Sequence, residues 1–76
     1  SWEIGACSKY VTVSAPPGSS GRIILSGDPN ALVYLNGAFL GRLDHFTGSM
    51  GSNNKESSIQ LNGGDYSLEI RQVCTD

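Results

Sequence analysis

Read as a string of apolar and polar positions, the chain falls into short alternating runs broken by glycine, proline and polar turns. "KYVTVS", Lys9 to Ser14, sets Val11 and Val13 against Tyr10 and Thr12, and "APPGSSG" then halts it. The two prolines supply no ladder donors, so a first strand paired up to this point belongs at the edge of a sheet. "GRIILSG" gives a second short strand, closed at "GDPN" by the turn signal Asp28-Pro29. "ALVYLNGAFLGRL", Ala31 to Leu43, is a hairpin centred on Asn36-Gly37, a dipeptide that tolerates the two positive φ angles of a type I′ turn. A two-residue loop there pairs Leu35 with Ala38, Tyr34 with Phe39, Val33 with Leu40 and Leu32 with Gly41.

From Asp44 to Ser58 the pattern collapses to "DHFTGSMGSNNKESS", with Phe46 and Met50 as its only large apolar residues, and predicts a long exposed loop. Strands resume with "SSIQL", the turn "NGGD", and "YSLEIRQV". That last run puts Tyr66, Leu68 and Ile70 on one face and Ser67, Glu69 and Arg71 on the other. No stretch keeps the i, i+3, i+4, i+7 spacing of an amphipathic helix. The expectation is therefore a single all-β domain over residues 1–76, a small antiparallel β-sandwich or open barrel of five or six short strands. Its predicted core is Val11, Val13, Ile23, Leu25, Val33, Leu35, Leu40, Ile59, Leu61, Tyr66, Leu68 and Ile70.

A chain of 76 residues buries a smaller share of its surface than a typical domain and needs an added constraint. Its two cysteines, Cys7 and Cys74, lie near opposite ends, and a bridge between them staples almost the whole chain at a gain of roughly 4 kcal/mol. Two other uses of the cysteines fit less well. With one histidine they cannot complete a zinc site without carboxylates, and Ile4-Gly5-Ala6-Cys7 resembles a lipoprotein attachment sequence but lacks the preceding apolar run, Glu3 standing in its place. A disulfide implies an oxidising, extracytoplasmic setting: secreted, periplasmic or cell-surface. The chain begins at Ser1 and has its only methionine at Met50, so it is expected to be a piece of a longer protein.

Net charge is −2, and the five basic residues are scattered singly, which leaves no footprint for nucleic acid. Nothing approaches the roughly 18 apolar residues of a membrane-spanning helix. Catalysis finds little support either. His45 follows Asp44, but neighbours on an extended chain point to opposite faces, and no two carboxylates are singled out as an acid and base pair. The glycines match no phosphate-binding loop.

Two families share motifs with the chain. Gly21, Ile23, Leu25, Ser26, Pro29, Ala31, Val33 to Gly37 and Gly41, then Leu61, Gly64, Tyr66, Leu68 and Ile70, follow the pattern of the PEGA module. Residues 21–71 thus resemble a small β-sandwich found in bacterial and archaeal surface proteins. That resemblance implies a non-catalytic module without cofactor, which displays, spaces or adheres, with a protein or a cell-wall carbohydrate as its partner. Within it, the exposed-loop residues Phe46, Met50, Asn53 and Asn54 are the expected contacts. The second resemblance is to the βγ-crystallin Greek key. Tyr34, Phe39 and Gly41 fit its Tyr-x-x-x-x-Phe-x-Gly, and "NNKESS" fits its calcium signature. It implies calcium held by oxygen ligands from Asn53, Asn54 and Ser57. A complete crystallin domain needs a second such motif, and the sequence contains none.

The bridge is directly testable. Alkylation under denaturing, non-reducing conditions should label no thiol, with both Cys7 and Cys74 labelled only after reduction; mass spectrometry of the intact chain reads the difference.

Overall fold

The structure is a computed structural model that describes residues 6–74. Ile4 and Gly5 of the lipoprotein-like stretch lie outside the described residues. Five antiparallel strands form one open sheet: β1 (Ala6–Gly27), β2 (Leu32–Leu35), β3 (Ala38–Arg42), β4 (Gly48–Met50) and β5 (Lys55–Val73). A short 3-10 turn, Leu43–His45, connects β3 to β4. The all-β antiparallel architecture is the predicted one, and β1 stands at the edge.

β5 is the strand on which the others assemble. Its first half lies between β1 and β4, and its second half between β1 and β2, with β3 outside β2. Cys7 and Cys74 are bridged, their Cα atoms 4.9 Å apart, across the end of the β1–β5 pair. The first and last strands are therefore neighbours, as a bridge between these cysteines requires.

Two breaks read from the sequence turn out to be bends inside strands. Pairing runs from Ala6↔Val73 to Ala15↔Gly64, is interrupted, and resumes from Ser20↔Asn62 to Gly27↔Lys55. Pro16 to Ser19 bulge out opposite Gly63. The prolines can occupy this position because a bulge needs no ladder donors there. Straight, the 22 residues of β1 would reach roughly 70 Å, yet the longest dimension of the molecule is 40 Å. Both long strands bend, and the two halves of the sheet come to share one core. Leu25 and Ile59 from one half meet Leu68 and Ile70 from the other, together with Ala31, Val33 and Leu43.

The predicted core is largely the observed one. Leu25, Val33, Ile59, Leu68 and Ile70 are buried, and Val13, Ile23, Leu35 and Leu61 pack half-buried against them. Tyr66 is half-buried. Val11 and Leu40 are corrections, since both are exposed. Val11 faces inward opposite Leu68 but lies on the edge strand. Leu40 is displaced by a bulge: the hairpin keeps Leu35↔Ala38 and Tyr34↔Phe39, then slips to Val33↔Gly41 and Leu32↔Arg42. Asn36 and Gly37, with φ of 49° and 84°, make the expected turn.

The predicted loop from 44 to 58 is also revised. It contains β4, which pairs with the start of β5, so only residues 51–54 form the connecting turn. Lys55 and Ser57 are buried; the Ser57 hydroxyl donates to the Leu43 carbonyl, which fixes the 3-10 turn over the core. No buried side-chain nitrogen or oxygen among the described residues lacks a partner.

Gly63 is the residue that permits the bend. A Cβ there would lie 2.0 Å from the Pro16 carbonyl oxygen and 3.1 Å from the Pro17 Cα, both backbone atoms. Gly21, on the opposite strand, has nothing within 4 Å of a Cβ position. Gly63→Ala should therefore lower the free energy of unfolding by about 2 kcal/mol or more, and Gly21→Ala should change it by about 0.5 kcal/mol at most, as read by urea denaturation.

Candidate binding face

Alternation along the strands gives the sheet an inner face on the core and an outer face in water. On the outer face the register lines up one row across four strands: Tyr10 on β1, Glu69 on β5, Tyr34 on β2 and Phe39 on β3. Beside it runs a second row: Ser8, Arg71, Leu32 and Arg42. Tyr10 and Phe39, at the two ends of the first row, are 68 % and 60 % exposed.

The middle of this face is fixed by contacts between the rows. Arg71 donates from Nε to Glu69 Oε2 at 3.1 Å and from Nη1 to the Tyr34 hydroxyl at 3.2 Å. Its guanidinium carbon lies 4.3 Å from the centre of the Tyr34 ring, a cation–π contact. Ser8 donates to Glu69 Oε2 at 2.6 Å. Tyr34 and Phe39 meet edge to face, their centroids 5.6 Å apart. A paired carboxylate and guanidinium thus sit between aromatic side chains on a sheet whose backbone is held by β5.

The electrostatics follow from the same contacts. The Ser8 hydrogen bond, with Arg71 and a weaker contribution from Tyr10, holds the Glu69 carboxyl below its ordinary range, against the opposing effect of partial burial. Asp44 is lowered as well, chiefly by the Arg42 Nε hydrogen bond at 2.7 Å. Positive and negative groups are paired on this side of the molecule.

The residues singled out from sequence lie elsewhere. Phe46 is half-buried against the core, its ring 3.0 Å from where a Gly41 Cβ would stand. Met50 is 56 % exposed on β4. Asn53 and Asn54 are exposed in the following turn, where Ser26 Oγ donates to Asn54 Oδ1 at 3.5 Å. Ser57, the third residue of the calcium reading, faces the core with its hydroxyl engaged at Leu43. Among the described residues, no group of three or more His, Cys, Asp and Glu side chains is placed to hold a metal ion. His45 and Asp44 do approach, at 3.7 Å, because a 3-10 turn replaces the extended chain expected there. The same Asp44 oxygen is already taken by Arg42.

Sequence alternation placed Glu69 and Arg71 on the wet face and set Tyr34 opposite Phe39. The cysteine bridge put the first and last strands side by side; what the sequence lacked was the register of β1 on β5 and the neighbour relation of β5 to β2, which together align Tyr10 with them. No protein family, curated protein or solved structure matches the chain.

The Glu69 contacts have a pH signature. A carboxyl whose pKa is lower in the folded than in the unfolded chain adds stability that is fully present above the unfolded value, about 4.3, and is lost as pH falls through the folded one. The stability of the native protein minus that of Glu69→Gln should be flat from neutral pH down to about 5 and shrink below about 4. Thermal unfolding of the two proteins across this range measures it.

Proposed function

We propose that the chain is a non-catalytic binding module of PEGA-like type, part of a cell-envelope or secreted protein, which contacts its partner through the outer face of the sheet. The observation that carries this reading is the row Tyr10–Glu69–Tyr34–Phe39, with two exposed aromatic rings at its ends and, in its middle, Glu69 fixed by an ion pair with Arg71 of the neighbouring row. Exposed aromatic side chains on a rigid scaffold supply contact area with little entropy to lose, and Tyr and Arg are the side chains that dominate binding hot spots. The motif likeness of residues 21–71 to PEGA modules supports the same reading, and the Cys7–Cys74 bridge is consistent with an oxidising compartment. Met50, Asn53 and Asn54 lie on the other half of the sheet, as a second exposed area that such a module could use in contacts with its parent chain.

Co-sedimentation with purified bacterial cell envelopes tests the proposal on the oxidised protein. The native chain should pellet with envelopes. Tyr10→Ala combined with Phe39→Ala should stay in the supernatant, with an unchanged circular dichroism spectrum. Equal pelleting of the two proteins, or none by either, overturns it.

A further inference from the structure

The geometry points to an uncharged, linear glycan as the ligand of the outer face, lying across the strands along the Tyr10–Glu69–Tyr34–Phe39 row; this rests on that face being the binding surface. The dimensions fit such a ligand. Tyr10 and Phe39 stand three strand spacings apart, roughly 14 Å, the reach of about three linked sugar rings. A pyranose offers an apolar face of C–H groups bordered by hydroxyls, and the row offers the complement. Phe39 and Tyr10 present exposed ring surface at the ends. Between them lie groups that donate and accept: the Tyr34 hydroxyl, the Arg71 guanidinium and the Glu69 carboxylate, prearranged by their own contacts. Fixed polar groups of this kind lose little freedom when a ligand arrives, and a hydroxyl that donates or accepts can satisfy either partner.

Charge and size disfavour the other ligand classes. The Arg71 fork is engaged by Glu69 through Nε and Nη2, at 3.1 and 3.4 Å, so the face offers no open bidentate clamp for a phosphate or a carboxylate. Nucleic acid finds no basic cluster in a chain of net charge −2. A stable protein interface buries about 800 Å² on each partner, far more than one row of four side chains presents. An open, net-neutral strip that carries both rings and hydrogen-bonding groups suits a sugar chain better than any of these.

The test is a titration of the oxidised, isotopically labelled chain with cellohexaose, chitohexaose, xylohexaose and mannohexaose at millimolar concentration, followed through backbone amide shifts. At least one sugar should give saturable shifts centred on Tyr10, Tyr34, Phe39 and Glu69. Phe39→Ala and Tyr10→Ala should each weaken that binding about tenfold or more. Phe39→Tyr should restore it, and all three variants should keep the native circular dichroism spectrum at the temperature of the titration. Absence of shifts with every sugar overturns the glycan, as do shifts centred on Met50 and Asn53 or an affinity indifferent to Phe39→Ala. Shifts that depend on protein concentration without sugar would identify a second copy of the chain as the occupant instead. If the sugars fail while the double variant still loses envelope binding, the face binds but its ligand is not a glycan. If the double variant pellets like the native chain, the binding face itself is refuted.

Discussion

The antiparallel pairing of β1 with β5 ties residues at the two ends of the chain together, and every other strand attaches to it. Ala6 lies opposite Val73, and the cysteines that close this pair are 67 residues apart in sequence. Bringing such distant segments together carries a loop-closure cost that a small core offsets with difficulty. The covalent bridge removes much of that cost from the unfolded side, by roughly 4 kcal/mol in the chain-entropy picture. With β1 and β5 in register, β5 presents free ladder edges to the β2–β3 hairpin at one end and to β4 at the other. The Asn36 side chain strengthens the first attachment by accepting from the Ser67 backbone N–H, while the Asn36 backbone N–H donates to the Ser67 carbonyl.

A pair of strands this long would by itself make a twisted ribbon with no interior. The four-residue bulge opposite Gly63 converts it into a fold, because it lets the apolar faces of the two halves meet. The outer face inherits its order from the same register. Tyr10, Glu69, Tyr34 and Phe39 share a row only because three separate strand pairings hold their alignment at once. Stability and the candidate binding face thus depend on one ladder.

Local chemistry made part of this legible from sequence. Asn36-Gly37 is a turn on any reading, and the alternation of Tyr66 to Arg71 sorts the final strand into buried and wet faces. Signals that depend on distant partners were not legible. Prolines after Ser14 read as a stop because sequence alone cannot see that a bulge removes the need for their missing donors. β4 escaped notice because Gly48, Ser49 and Met50 have no apolar alternation and are strand only through backbone bonds to β5. Leu43 looked like the end of a hairpin, and it is buried because the 3-10 turn rotates it inward. Phe46, read as an exposed contact, is instead packing for the same turn. The aromatic row was hidden for the reason that applies to most sites on sheets: its members come from four segments whose adjacency is decided by topology.

The bulge also governs how the molecule meets other molecules of its kind. β1 is the outermost strand along its whole length, and an unbroken edge of 22 residues would be an open template for further strands. Pro16 and Pro17 divide that edge into two shorter pieces set at an angle, and each piece carries an exposed cation, Lys9 on one and Arg22 on the other. A straight intruding strand can match only one piece at a time, and it must do so beside a charge. The kink that gives the domain its interior therefore also guards its flank against sheet-to-sheet polymerisation.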